Sequence, residues 1–189
     1  MEILKKQLYT PIGEEIFYGT LKNGLKIYLI PKKDLQETCG MLLVNFGSLD
    51  TKFTVGKVSK SYPEGIAHFL EHKLFELDDN QDLSQLFTHL GAESNAFTSF
   101  EKTCFYFSTV DNITENLKLL QKFMRQASFS EASVEREKDI IGQEIDMYQD
   151  DADYRLYQGI LENLYPKTSL AEDIAGTRKS LDKITATDL

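Results

Sequence analysis

The sequence predicts an α+β fold in which a largely antiparallel β-sheet is packed with helices on one face. Segments of strand and helix character follow one another in the order strands, helices, strands, helices, without the strict alternation that accompanies a parallel sheet. The chain has 189 residues, 41% of them hydrophobic, which is enough for one domain with a core of its own.

The first strands are predicted from a turn signal and from composition. Residues 15–31 are predicted to form a hairpin around Asn23-Gly24, because Asn-Gly favours a tight turn between strands. Residues 39–47 are rich in Met, Leu, Val and Phe and form the next predicted strand. Residues 49–63 are polar and show no clear period, which favours a loop.

The rest of the chain is mostly helical. Two further strands are predicted over residues 94–98 and 103–110, which are rich in aromatic and β-branched residues. Apolar spacing and stop signals such as Gly91 predict helices over about residues 64–76, 82–90, 112–127, 131–150 and 153–164.

The charge balance excludes some classes of partner. The chain has 30 acidic and 21 basic residues, a net charge of −9, which is unfavourable for binding nucleic acid or an anionic membrane. It begins with no apolar stretch of signal-peptide length, and no run approaches the ~20 apolar residues that span a bilayer. Two cysteines make no disulfide framework. We therefore expect a cytoplasmic protein without nucleic-acid or membrane partners.

Two histidines one helical turn apart are the strongest chemical signal in the sequence. They fall in His68-Phe69-Leu70-Glu71-His72. At 100° per residue, His68 and His72 lie about 40° apart on one helical face, with Glu71 on the same side. Ile66, Leu70 and Leu77 lie on the opposite side and are expected to be buried against the sheet. Two neutral imidazoles in this arrangement are a platform for Zn²⁺.

A catalytic zinc ion needs a third protein ligand, and the best candidates lie on the predicted helix over 131–150. Glu137 and Glu144 are about 20° apart in projection and flank an apolar stripe formed by Val134, Ile141, Ile145 and Tyr148. Carboxylates at the border of a buried face are costly unless they are paired, and a metal ion, a lysine or water could pair with them. His89 has a suitable side chain but ends another helix without a partner.

These residues resemble the N-terminal part of the pitrilysin family, which includes insulin-degrading enzyme and the mitochondrial processing peptidases. His-x-x-Glu-His is the inverted zinc motif. Further matching segments cover most of the chain: Leu21-Lys22-Asn23-Gly24-Leu25, Phe46-Gly47-Ser48, Ser94-Asn95-Ala96-Phe97-Thr98, Glu135-Arg136-Glu137 and Ile174-Ala175-Gly176-Thr177. The loop before the zinc motif is longer than is common in the family.

The resemblance implies a role for each candidate residue. His68, His72 and Glu144 match the zinc ligands. Glu71 matches the general base that deprotonates the zinc-bound water, and Glu137 matches an auxiliary acid beside the site. The strand beside the site, which an extended peptide can join by main-chain pairing, contains Asn95, Ala96, Phe97 and Thr98. The implied function is a zinc metalloendopeptidase acting on extended or unfolded peptides, in a metallohydrolase domain like those of the processing peptidases.

The resemblance also implies that a further part completes the enzyme. Family members contain repeated domains, and a second half closes their active site. Residues 1–189 are therefore expected to be a single N-terminal zinc-peptidase domain of a longer protein, completed by a C-terminal half or by a homologous partner subunit. Residues 184–189 offer the N-cap and first turn of a helix, which fits a break between domains. Alone, the chain is expected to be a weak peptidase and to self-associate.

Two other functions remain open on the sequence. S-ribosylhomocysteine lyases also carry His-x-x-Glu-His on a small α+β domain, but they complete the metal site with a cysteine, which would be Cys104 here. The other alternative is a non-catalytic subunit of a two-chain peptidase. Such subunits in the family typically lose the zinc motif, which is intact in this sequence.

Overall fold

Every strand pairing in the computed structural model is antiparallel, over the described residues 4–76, 83–124 and 129–189. The predicted α+β class with antiparallel sheets and packed helices is confirmed. The chain forms two compact units, Met1–Glu37 and Thr38–Leu189.

The unit Met1–Glu37 contains a sheet with the order β1-β2-β3. Its strands are β1 (Lys5–Tyr9), β2 (Glu14–Thr20) and β3 (Lys26–Leu29). The predicted hairpin around Asn23-Gly24 is confirmed, and Gly24 has a φ of 88° in the turn. Strand β1 was not predicted because its side chains are all exposed and show no apolar alternation.

The sheet of the second unit has the order β4-β8-β7. Strands β4 (Thr38–Val44), β7 (Ala92–Thr98) and β8 (Thr103–Thr109) confirm three predicted strands. Strand β8 is central and almost wholly buried, whereas β7 is an edge strand with alternating exposure.

A second hairpin replaces the loop predicted over residues 49–63. Strands β5 (Lys52–Val55) and β6 (Val58–Ser61) pair through a two-residue turn, Gly56-Lys57. Gly56 has a φ of 63°, which suits the first central position of such a turn. The loop prediction was wrong because this glycine was treated as a loop residue and not as a hairpin signal.

The helices follow the predicted order. The predicted start at residue 82 and the predicted end at 125–127 lie outside the described residues. A further short helix, α6, begins at a capping box formed by Thr177 and Ser180. In the described parts of the chain, no helix is both long and apolar enough to cross a membrane. The helices are α1 (Ile66–Phe75), α2 (Leu83–His89), α3 (Ile113–Phe123), α4 (Glu131–Asp150), α5 (Ala152–Leu164) and α6 (Arg178–Leu181).

Two apolar clusters hold the second unit together. The first joins the sheet to α2 and α3 through Leu83, Phe87, Ala92, Phe105, Phe107 and Leu120. The second joins α1 and α4 to the C-terminal segment through Ile66, Phe69, Val134, Ile141, Ile145, Ala175, Leu181 and Ile184. Because the second cluster contains residues of both helices, it fixes α1 against α4.

Candidate metal centre

Helix α1 carries the histidine motif, and a glycine fixes where this helix begins. Gly65 is the N-cap residue and has a φ of 86°, a conformation that favours glycine. A Cβ at this position would lie 2.4 Å from the carbonyl oxygen of Ala175. The start of α1 therefore lies directly against the backbone around Ala175 and Gly176.

The buried surface of α1 is wider than predicted. Ile66 is buried as expected, but Leu70 is only half-buried, and Leu77 lies outside the described residues. The prediction of a single apolar stripe was wrong because α1 contacts both the sheet and α4, so more than one side of the helix is covered. Its buried residues are Ile66, Ala67, Phe69, Glu71 and Lys73.

Helix α4 matches its prediction closely. Ser130 caps the helix by accepting a hydrogen bond from the backbone N–H of Ser133 at 3.2 Å, which satisfies a donor that helix formation leaves unpaired. Glu137 is 9% exposed and Glu144 is half-buried, beside the buried apolar stripe of Val134, Ile141 and Ile145. Both carboxylates therefore lie at the border of the buried face, as predicted.

Three side chains from α1 and α4 converge on one point. His68 Nε2 lies 3.8 Å from Glu144 Oε1, and His72 Nε2 lies 3.3 Å from Glu144 Oε2. One ligand atom from each of these three residues lies within 4.8 Å of the others. Two ligands at about 2.05 Å from a tetrahedral zinc ion are about 3.3 Å apart, so these separations suit a single small cation.

Glu137 contacts the far side of the His72 ring. His72 Nδ1–H donates a hydrogen bond to Glu137 Oε1 at 2.9 Å. This contact directs His72 Nε2 toward Glu144, the arrangement in which a carboxylate orients a metal-binding histidine. The donor set of two imidazoles and one carboxylate, with a carboxylate behind one imidazole, fits a zinc site that keeps an open position.

Glu71 lies beside this cluster but takes no part in it. In the described residues, the group that could hold a metal ion comprises His68, His72 and Glu144. Glu71 is 8% exposed, and its Oε2 accepts a hydrogen bond of 2.5 Å from the hydroxyl of Thr98. A buried carboxylate near a metal site, but outside the ligand set, is placed to accept a proton.

The two histidines have opposite electrostatic environments. Burial and the neighbouring His72 lower the pKa of His68 to about 4. Burial also acts to lower the pKa of His72, but hydrogen bonds with Glu137 and Glu144 outweigh it and raise this pKa to about 9. When no metal ion is bound, His68 is thus neutral and His72 is protonated at neutral pH, so a metal ion must displace the proton of His72.

The two carboxylates nearest the histidines also differ. The hydrogen bond with His72 lowers the pKa of Glu144 below its ordinary value, which keeps Glu144 in the form that binds cations. Burial raises the pKa of Glu71, against the opposing effect of the hydrogen bond from Thr98. A raised pKa suits a carboxyl group that takes up and releases a proton.

Among the described residues, the remaining sequence candidates do not belong to the group that could hold a metal ion. His89 is exposed at the end of α2. Cys104 is buried in β8 and does not belong to the metal-binding group found in the described residues. Asn95, Ala96, Phe97 and Thr98 lie on the edge strand β7, and Asn95 and Phe97 are exposed.

Some contacts around the site were not predicted from the sequence. Tyr148 was placed only in the apolar stripe, but its hydroxyl interacts with Glu144 and helps to lower the pKa of that carboxyl group. The four-residue spacing of these positions on α4 could have indicated this contact. Lys73 is 1% exposed and pairs with Glu76, which also accepts a hydrogen bond from Arg136 at 2.8 Å.

A comparison with protein families identifies the family of this chain. The model of "Insulinase (Peptidase family M16)" matches residues 42–178, more than half of the chain. The chain belongs to the insulinase family. This confirms the resemblance to the family of insulin-degrading enzyme and the processing peptidases that the sequence indicated. A mitochondrial-processing peptidase subunit is among the relatives that the chain matches.

The insulinase-family relatives include named zinc proteases. The chain is 44% identical to the uncharacterised zinc protease YmfH of Bacillus subtilis, over 97% of the chain and 43% of YmfH. It is 29% identical to the probable mitochondrial-processing peptidase subunit beta of Schizosaccharomyces pombe, over 90% of the chain and 36% of that protein.

A solved structure supports the same assignment. A protein of Alicyclobacillus acidocaldarius, described as an M16-like peptidase, superimposes with a TM-score of 0.86 and 34% identity. The match covers 100% of this chain and 42% of that chain. This insulinase-family chain thus spans less than half the length of the relatives it matches.

Proposed function

We propose that this chain is the zinc-binding part of a metallopeptidase that hydrolyses peptide bonds in extended or unfolded peptides. The convergence of His68, His72 and Glu144 is the observation that carries this proposal. Membership of the insulinase family and relatives named zinc proteases support the choice of ion and reaction.

The three converging side chains would hold the zinc ion through His68 Nε2, His72 Nε2 and a carboxylate oxygen of Glu144. Glu137 acts on His72 and not on the substrate, because it holds the imidazole through Nδ1–H and leaves Nε2 free to bind the ion. When bound, zinc polarises the scissile carbonyl and lowers the pKa of a coordinated water to about 7.

Glu71 is the general base in this proposal. It accepts a proton from the attacking water and passes that proton to the leaving amine. Its position outside the ligand group and its burial support this role. A carboxylate bound to the ion would have its pKa lowered by the positive charge and would be a weaker base.

Strand β7 supplies the surface for the peptide. An extended peptide would add to this edge strand by main-chain hydrogen bonds, alongside Asn95, Ala96, Phe97 and Thr98. The strand pairs with β8 on its other side. Main-chain pairing depends on the backbone of the peptide more than on its side chains, so it suits a broad range of unfolded peptides.

A second part completes the active site in this proposal. Hydrolysis also needs donors that stabilise the oxyanion, and one missing donor costs about 10²–10³-fold in rate. The chain spans 43% of YmfH, and one relative is named as a subunit of a processing peptidase. The missing donors would come from the remainder of a longer polypeptide or from a homologous partner subunit.

Zinc content tests the ligand set. The chain, loaded with zinc and freed of excess ion by gel filtration, should contain one zinc ion per molecule by mass spectrometry of the metal. His68→Ala and His72→Ala should lose the ion, whereas the matched variant His89→Ala should keep it. Stoichiometric zinc in both of the first two variants would refute the assignment. Loss of zinc from Cys104→Ser would instead favour a lyase-type site.

Glu71→Gln tests the reaction. This variant should keep its zinc, because Glu71 is outside the ligand group. In the full-length protein it should hydrolyse an unfolded basic peptide about 10²–10⁴-fold more slowly, because a general base contributes about that much. Unchanged turnover would exclude Glu71 as the base.

A further inference from the structure

The carboxylate of Glu71 has to be held in one orientation if it is to act as a base. Glu71 lies on α1 between the two histidines in sequence, and its side chain has three rotatable bonds. It is 8% exposed, so solvent cannot fix its orientation. A misplacement of about 1 Å in a reacting group can cost about 10²-fold in rate.

Thr98 provides the contact that fixes this carboxylate. Its hydroxyl donates a hydrogen bond of 2.5 Å to Glu71 Oε2. Exposure alternates along β7, with Asn95 and Phe97 exposed and Ala96 and Thr98 half-buried. The side chain of Thr98 is thus on the face of the sheet that α1 covers, opposite to the side chain of Phe97.

The backbone on either side of this contact is itself restrained. Thr98 pairs with Thr103 at the end of the β7–β8 hairpin, and the Thr103 hydroxyl donates to the carbonyl oxygen of Phe46 at 2.9 Å. Next in the chain, Ser99 N–H donates to the Lys102 carbonyl at 2.7 Å. The Thr98 hydroxyl therefore projects from a fixed hairpin end and not from a mobile loop.

We propose that Thr98 is a positioning residue for the general base, holding Glu71 Oε2 so that Oε1 stays directed at the attacking water. This inference rests on the proposed function, in which Glu71 is the base. Thr98 then has two roles. Its side chain holds Glu71, while its main chain remains available to pair with a peptide. The same strand then locates both the substrate and the base.

Two substitutions separate the hydroxyl from the shape of the side chain. In the full-length protein, Thr98→Val should lower kcat about 10–100-fold, because the base is no longer held in its reactive orientation. KM should stay within about twofold, because main-chain pairing with the peptide is kept. Thr98→Ser retains the hydroxyl and should recover most of kcat. Thr54→Val, an exposed threonine of the hairpin strand β5, is the matched control and should change neither constant.

A measurement that needs neither activity nor zinc tests the contact itself. In the zinc-free chain, Thr98→Val should lower the Tm by about 2–4 °C, since the hydrogen bond to Glu71 is lost. In a Glu71→Ala background the same substitution should change the Tm by less than about 1 °C, because the partner is already absent. Equal shifts in the two backgrounds would overturn the proposal.

The outcomes distinguish this inference from the proposed function. Unchanged kcat in Thr98→Val, or a Thr98→Ser variant as slow as Thr98→Val, would overturn the positioning role. If the zinc-loaded full-length wild-type protein hydrolyses no peptide, the proposed function fails, and with it the role of Thr98 in catalysis. The Tm comparison would still decide whether Thr98 and Glu71 interact.

Discussion

Replacing Glu137 with alanine should weaken zinc binding without removing a ligand. Glu137 Oε1 accepts the 2.9 Å hydrogen bond from His72 Nδ1, and the Glu137 side chain is 11% exposed, so water restores little of the lost contact. Removal of such an orienting partner typically lowers metal affinity 10–100-fold, which corresponds to about 1.4–2.8 kcal/mol. A hydrogen bond to a charged group contributes a similar amount, about 1.5–3 kcal/mol.

The size of this loss should depend on pH, because Glu137 has a second effect. Its contact helps to raise the pKa of His72 to about 9, and zinc must displace the proton that His72 then holds. Glu137→Ala lowers the pKa of His72 and so weakens the competition between the proton and zinc. The loss of zinc affinity at pH 7 should therefore be smaller than the loss of about 10–100-fold expected from orientation alone. Above pH 9, where His72 is neutral in the wild-type chain, the full 10–100-fold loss should appear.

Competition against a chromophoric zinc chelator measures the zinc affinity of the variant and of the wild-type chain, at pH 7 and above pH 9. Glu135→Ala is the matched control, because Glu135 lies on the same helix and pairs only with Lys138 in the described residues. Glu137→Gln should lose less than about tenfold, since its amide oxygen can still accept from Nδ1–H. If Glu137→Ala binds zinc within about threefold of wild type above pH 9, Glu137 does not orient His72.

Three further results are expected. Zinc affinity should rise about tenfold per pH unit from pH 6 to pH 9, because the pKa of His72 is raised to about 9 while that of His68 is lowered to about 4. Calorimetry in two buffers at pH 7.5 should therefore show about one proton released per zinc ion, and absence of proton release would contradict this expectation. Gly65→Ala should lower the free energy of unfolding in denaturant by more than about 2 kcal/mol, because the new Cβ meets the Ala175 carbonyl. Gly56 also has a positive φ but has open space around it, so Gly56→Ala should lower this free energy by only about 1–2 kcal/mol. The zinc-loaded chain should hydrolyse an unfolded basic peptide at least about 10²-fold less efficiently than the full-length protein, and an equal kcat/KM would show that no second part is needed.

Local signals explain why some elements could be predicted from the sequence. Helix α4 begins at a residue that caps it, Ser130, and its acidic and apolar positions keep a helical period over twenty residues. That regularity is sufficient to place Glu137 and Glu144 at the border of the buried face. The position of His68 and His72 on one face of α1 likewise follows from their four-residue spacing within one helix.

Features that depend on contacts between distant segments could not be predicted. The buried face of α1 is set by two neighbours, the sheet and α4, so the burial of Lys73 does not follow from a single apolar stripe. The bond between Thr98 and Glu71 depends on how the β7–β8 hairpin meets α1. The β5–β6 hairpin differs from these cases, because Gly56-Lys57 was a local signal that could have been recognised.

The contact between Gly65 and Ala175 affects the order in which the chain can assemble during synthesis. The helix with the two histidines leaves the ribosome early, but its third partner, Glu144, and the segment that locks its N-terminus are translated much later. A nascent chain that has not yet reached Gly176 lacks the backbone that packs against the N-terminus of α1, and one that has not reached Glu144 also lacks the third side chain of the cluster. Capture of zinc should therefore be a late event in biogenesis, so that a partly made chain cannot hold a mature site.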